Sequence, residues 1–152
     1  SAALHAIPDR DGWWHSGDLA ELEGSPTHPL LHVRGRLDGA ILSGGVTVFP
    51  SQLEERLLMD AGRAGLQLDA VLLLGLADRE WGERLVALVR WSSVEVPSAA
   101  FDGLRRLVSD WPAAERPLHW YSCPELERSS AGKWERARWK QWLLNQHSAQ
   151  QH

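Results

Sequence analysis

The stretch Gly35-Arg36-Leu37-Asp38-Gly39-Ala40-Ile41-Leu42-Ser43-Gly44-Gly45 decides how the rest of the chain is read. Two apolar runs with strand character, 30–33 and 40–42, flank a charged Gly-Arg-x-Asp-Gly junction. A Ser-Gly-Gly turn follows, and Val46-Thr47-Val48-Phe49 reads as a further strand. Glycines around Arg36 and Asp38 permit backbone angles closed to β-branched residues. A short charged joint between rigid strands suits a hinge, because hinges are a few element-terminal residues that absorb large dihedral changes. Turn grammar alone gives these residues as a β-turn with a surface ion pair. The other motifs of the chain favour the hinge.

Working outward, residues 1–12 read as an irregular lead-in and 13–22 as a strand with a turn at Gly17-Asp18. Residues 23–29 have loop composition, so 19–33 is expected to form a β-hairpin with a wide loop. On the other side, Pro50-Ser51-Gln52-Leu53-Glu54 announces a helix. Ser51 and Glu54 stand at capping-box spacing, Leu53, Leu57, Leu58 and Ala61 share one face, and Gly62 and Gly65 end it. The apolar run 70–76 predicts a buried strand, and 84–91 a second strand paired antiparallel with it across a charged connection. Residues 98–111 predict a helix capped by Ser98 and stopped by Pro112, 118–121 a strand, 127–132 a polar, mobile loop, and 134–145 a final helix. The order helix, strand, strand, helix, strand, helix gives an α+β fold: a small domain with a short antiparallel or mixed sheet covered by helices, preceded by a β-hairpin.

Composition narrows the function. The length of 152 residues allows one domain, or one with part of another, and a real core. A formal net charge of −4 argues against a nucleic-acid partner or an anionic membrane surface. The single Cys123 excludes an internal disulfide and fits a reducing compartment, so a cytoplasmic location is expected. No apolar run nears the roughly 20 residues of a membrane helix, and no signal peptide opens the chain. The chain starts at Ser1-Ala2-Ala3 without methionine and reads as a piece of something longer.

Seven histidines invite a metal site, but the close pair His28 and His32 lies in loop composition with no carboxylate or Cys to complete a ligand set, so no metal is assigned. Cys123 has no neighbour that suggests activation, and nucleophilic catalysis is not expected of it. The nine tryptophans read as packing rather than a base-stacking platform. Of the sixteen Lys and Arg, only Lys133 and Lys140 are lysines, and a compact ammonium is not interchangeable with a guanidinium. Lys133 follows the small run Ser129-Ser130-Ala131-Gly132 and precedes a helix. Its ordinary role is that of a solvated loop lysine. Its sharper role is an ammonium on a swinging tether, set against charge that develops at a phosphate or carboxylate.

Taken in order, the pieces carry a resemblance. Gly12-Trp13-Trp14-His15-Ser16-Gly17-Asp18-Leu19 resembles the Gly-Trp-x-x-(Ser/Thr)-Gly-Asp segment of the adenylate-forming superfamily of acyl-CoA synthetases, peptide-synthetase adenylation domains and luciferases. Gly35-Arg36-Leu37-Asp38 is similar to that superfamily's hinge, and Ser43-Gly44-Gly45 with residues 50–54 to the loop and helix after it. Ala77-Asp78 with Gly82-Glu83 is similar to its Ala-Asp-x-x-x-Gly-Glu turn, and Ser130-Ala131-Gly132-Lys133 to its C-terminal Gly-Lys. Within the superfamily, the Gly-Arg-Leu-Asp…Ser-Gly-Gly run, Arg116-Pro117-Leu118-His119-Trp120 and Pro124-Glu125-Leu126 most resemble the 2-succinylbenzoate–CoA ligase family of menaquinone and phylloquinone synthesis. The chain departs from the common pattern at Val46-Thr47 and at Trp134.

The resemblance implies residues 1–37 as the last strands of a large N-terminal domain and 38–152 as a small, mobile C-terminal domain. It implies an AMP-forming acid–CoA ligase that uses ATP, Mg²⁺ held mainly by the N-terminal domain, and CoA. A small-molecule carboxylic acid and the protein's own N-terminal domain are the implied partners. Lys133 is the implied adenylation lysine, Asp18 and Arg36 nucleotide-binding residues, Asp38 the hinge, and Ser43, Gly44 and Gly45 the CoA-lining turn. Residues 1–152 alone are expected to be inactive, since the phosphate loop and acyl pocket lie upstream in the family. The alternatives are another acyl-CoA synthetase or adenylation domain of the superfamily, or a non-catalytic binding module derived from it.

Overall fold

A computed structural model describes the backbone of residues 18–25, 28–36 and 39–150, and side chains from 39 to 148. The chain divides into two compact units, Ser1–Ala40 and Ile41–His152.

In the first unit β1 (Asp18–Ser25) and β2 (His28–Arg36) form an antiparallel hairpin. The pairing runs from Asp18 opposite Arg36 to Ser25 opposite His28, with an irregularity after Leu19 that leaves Arg34 without a partner in the register. The expected wide loop over 23–29 is therefore corrected: Glu23, Gly24 and Ser25 continue β1, while His28 and Pro29 begin β2. Loop-forming composition did not stop the ladder, because antiparallel pairing is set by the partner strand as much as by local preference. The segment 13–17, read as strand, and the pivot Asp38 lie outside the described residues.

The second unit contains β3 (Ile41–Ser43), β4 (Val46–Val48), α1 (Pro50–Arg63), β5 (Leu68–Asp78), β6 (Gly82–Trp91), α2 (Ser98–Leu107), β7 (Trp120–Ser122) and α3 (Arg136–Gln150). The sheet runs β4-β3-β6-β5, with β7 parallel to β6 and every other pair antiparallel. The expected α+β layer is present, with a mixed sheet. Alternation along β5 and β6 explains why their apolar runs are continuous. Val71, Leu73, Leu85, Ala87 and Val89 point into one core with Leu53 and Leu57 of α1 and Leu104 of α2. Ala70, Leu72, Leu74, Val86 and Leu88 point into another with Trp139 and Leu143 of α3. Successive strand residues face opposite sides, so a strand covered by helices on both faces carries no polar alternation.

Two expected caps are corrected. Ser51 does not cap α1: Phe49 holds that position without a side-chain bond, and Pro50 supplies the first helical residue. Proline is pre-organised for that place and lacks only an N–H that would go unpaired anyway. Ser98 likewise lies inside α2, whose cap position is Pro97. At the other end of α1, Gly65 at φ +75° lets Leu66 N–H reach the Ala61 carbonyl at 2.9 Å and Gly65 N–H the Gly62 carbonyl at 3.2 Å. These are the paired bonds of a Schellman end, so Gly65 is the terminator and Gly62 is still helical.

Cys123 is fully buried in the α3-side core. Burial, and then the Glu125 carboxylate, push its thiol from 9.0 up to about 12. The neutral thiol is a poor nucleophile, in keeping with the sequence reading. The unfolded chain releases this proton first, so the native state binds more protons in that range. Stability should therefore fall as pH rises from 9.0 toward about 12. Urea unfolding of the chain and of Cys123→Ala across that range checks this. The alkaline slope should be shallower in the variant, and equal slopes would contradict the assignment.

Candidate functional site

Three pieces of the second unit carry the candidate chemistry. The first is the β3–β4 turn. Ser43 ends β3 fully buried, with its Oγ lacking a hydrogen-bond partner, while Gly44 and Gly45 are exposed at φ +57° and +80°. Gly44 N–H donates to the Trp81 carbonyl at 2.8 Å. A Cβ on Gly44 would stand 2.7 Å from Cε3 of the Trp81 ring. Glycine is required here twice over, by the positive φ and by the ring.

Trp81 belongs to the second piece, the β5–β6 turn. Asp78 Oδ1 accepts from the N–H groups of Glu80 and Trp81, each at 2.9 Å. Those bonds, Trp81's first and then Glu80's, hold the Asp78 carboxyl below the usual carboxylate range. Gly82 stands opposite Ser43 in the sheet register. The Arg84 guanidinium lies over the Trp81 ring at 4.5 Å, and Glu83 Oε2 accepts from Leu42 N–H at 3.4 Å. Two motifs about forty residues apart in the chain thus form one rigid corner, and Trp81 is the joint that the motif spacing did not single out.

The third piece is the turn that leads to Lys133. Gly132 N–H donates to the Ser129 carbonyl and Ser129 N–H to the Lys133 carbonyl, both at 2.8 Å. Lys133 N–H reaches Ser129 Oγ at 3.3 Å, and Arg128 Nη1 reaches the Gly132 carbonyl at 3.2 Å. The Arg128 guanidinium also covers the Trp134 ring at 4.5 Å. The run expected as a polar, mobile loop thus ends in a closed, hydrogen-bonded turn. The Lys133 side chain is exposed, and among the described residues no carboxylate or carbonyl takes its ammonium. No hydrogen bond joins this turn to the Ser43–Gly45 corner among the described residues.

In the first unit, Asp18 and Arg36 are direct partners in the β1–β2 register, so residues eighteen positions apart in sequence meet at one end of the hairpin. Among the described residues no group of three or more His, Cys, Asp or Glu is gathered to hold a metal ion, and no helix is long and apolar enough to cross a membrane.

The sequence reading missed the pair Glu54 and Arg136. The signal for Glu54 was present: it shares a helical stripe with Leu57, Leu58 and Ala61, and a carboxylate on an apolar stripe demands a buried partner. Nothing local marked Arg136.

The chain matches a C-terminal part of the adenylate-forming superfamily, whose acyl-CoA ligases are its relatives and structural neighbours. A probable 2-succinylbenzoate–CoA ligase of Mycobacterium tuberculosis is 36% identical over 129 residues, covering 83% of this chain and 31% of the relative. A feruloyl-CoA synthase of Amycolatopsis is 40% identical over 74 residues, covering 49% of this chain and 13% of the relative. The solved structure of wild-type E. coli MenE with a bound phenylether-linked analogue of OSB-AMS superposes with a TM-score of 0.59 at 27% identity, over 90% of this chain and 27% of that one. No protein-family model matches the chain. The chain thus spans less than a third of the length of these proteins.

The glycine corner yields a direct test. Gly44→Ala should destabilise the wild-type chain more than it destabilises Trp81→Ala, where the opposing ring is gone. Contacting residues couple by about 0.5–3 kcal/mol, and denaturant unfolding of the four proteins measures this. Additive effects would show that ring and turn are independent.

Proposed function

We propose that this chain is the C-terminal part of an ATP-dependent acid–CoA ligase acting on 2-succinylbenzoate in menaquinone or phylloquinone synthesis. The observation that carries the reading is the 36% identity over 83% of the chain to the mycobacterial ligase. In this reading residues 1–37 close a large N-terminal domain that holds the acyl pocket, the triphosphate and Mg²⁺. Residues 38–152 form a small domain that pivots at Asp38.

The enzyme runs two half-reactions at one centre. The acid's carboxylate attacks the α-phosphorus of ATP, the bond to pyrophosphate breaks, and an acyl-adenylate forms. CoA's thiol sulfur then attacks the acyl carbonyl and AMP leaves. Lys133 is the cation for the first step, set against the α-phosphate and the substrate carboxylate. The support is an ammonium without a partner among the described residues, on a backbone that is already fixed, since a preorganised charge needs no rearrangement at the moment of reaction. Asp18 would accept from the ribose hydroxyls and Arg36 would stand near ribose or phosphate, a pairing supported by their places opposite each other in the hairpin. For the second step the lysine must leave so that a thiol can enter. The exposed backbone of Gly44 and Gly45, free of side chains, fits a narrow pantetheine path beside it, while buried Ser43 anchors the turn.

Lys133→Ala in the complete ligase should lower single-turnover adenylation by about 10²–10³-fold, the usual loss for one preorganised electrostatic contact. Thioester formation from supplied acyl-adenylate should be nearly unchanged. ATP–pyrophosphate exchange across candidate acids names the substrate, with 2-succinylbenzoate expected to exceed ferulate. Equal loss in both half-reactions would remove the role of Lys133, and exchange with other acids alone would replace the substrate.

A further inference from the structure

The outer edge of β5 is covered by two charged side chains from opposite faces of the sheet. β5 is the last strand on its side of the sheet, so backbone groups that point away from β6 need partners from elsewhere. At Leu73, Glu54 Oε2 of α1 accepts the outward N–H at 3.0 Å, and Arg136 Nη1 of α3 donates to the outward carbonyl at 2.9 Å. The two side chains also pair with each other, Arg136 Nη1 to Glu54 Oε2 at 3.1 Å and Nη2 to Oε1 at 3.0 Å. The Glu54 side chain is 4% exposed and that of Arg136 28%. A two-pronged guanidinium–carboxylate contact fixes direction as well as distance.

We propose that Arg136 and Glu54 are positioning residues for Lys133, an inference that rests on the role given to Lys133 above. Arg136 is the first residue of α3, three residues after Lys133. Between them Trp134 packs against the α3-side core. Before Lys133 the chain is closed on itself by the Ser129 bonds. The turn is thus held from both sides, by buried Leu126 and the Arg90 guanidinium on its carbonyl before it and, beyond Trp134, by the Arg136 guanidinium locked to β5 and α1. Lys133 itself stays solvent-exposed, so its ammonium approaches a ligand from a base referenced to the sheet backbone. The lysine moves as the whole small domain moves, not as a loop.

The test separates position from stability. Replacing both charges by apolar residues of similar size, Glu54→Leu with Arg136→Met, removes the directional contact and leaves no unpaired buried charge; because it also frees the Leu73 N–H and carbonyl, protection in the middle strand serves as the check that the fold persists. In this chain, amide hydrogen exchange at Gly132 and Lys133 should accelerate in the double variant, while Val86 and Leu88 in the middle strand remain protected. In the complete ligase, the double variant and the milder Arg136→Lys should each lower single-turnover adenylation by about 10–100-fold, since an ångström of misplacement costs up to about 10²-fold. Thioester formation from supplied acyl-adenylate should stay near wild type. Adding the double variant to Lys133→Ala should cost adenylation little more. Unchanged exchange at the turn, equal losses in both half-reactions, or additive losses with Lys133→Ala would overturn the inference while leaving the role of Lys133 intact. Normal adenylation by Lys133→Ala would instead sink the functional reading, and the exchange result would then bear only on whether the clamp holds the turn.

Discussion

A strand at the edge of a sheet must do something with its outward N–H and C=O groups, and the second unit is arranged around the solution used on β5. An open edge invites pairing with another chain. A buried backbone group without a partner costs free energy comparable to a lost hydrogen bond. Here the Leu73 edge is met by Glu54 from the α1 side and Arg136 from the α3 side. The two helical layers share no face of the sheet, so this contact ties them together around its rim. It also sets a severe condition on both residues. Removing one partner of a buried ion pair leaves an uncompensated charge, at a cost of about 3–5 kcal/mol, and removing both leaves the Leu73 N–H and carbonyl without these partners. Neither residue is free to vary alone.

The glycine corner is a second constraint of the same kind, made of backbone and one ring. Asp78 organises the β5–β6 turn by accepting two N–H groups, and the turn then presents the Trp81 carbonyl and ring to Gly44. With Arg84 over the ring, Trp81 stands against both the Gly44 backbone and a guanidinium. Gly44 is thus held on its inner side by Trp81, while a Cβ on Gly45 would meet nothing within 4 Å. The Lys133 turn likewise closes its own backbone and leaves the cation without a partner among the described residues.

The sequence by itself determined a good deal. Apolar runs of strand length at 70–76 and 84–91 named the central hairpin, since a strand buried on both faces needs apolar residues at every position. The helical stripe 53, 57, 58 and 61 named α1. The ordered motifs point to the adenylate-forming superfamily, and they mark Lys133 in a chain that writes its positive charge almost entirely as arginine. What failed was local grammar whose outcome depends on neighbours. Ser51 and Ser98 had the chemistry of caps, but proline beside each set the helix start, and residues 23–29 had the composition of a loop but continued a ladder. Only the tertiary structure decided that Glu54 meets Arg136 across 82 residues of chain, that Trp81 fills the space over Gly44, and that the Lys133 turn is closed. These contacts pair groups whose separation along the chain carries no periodic signal, and a partner's identity is fixed only when the sheet edge and the helix ends arrive at the same place.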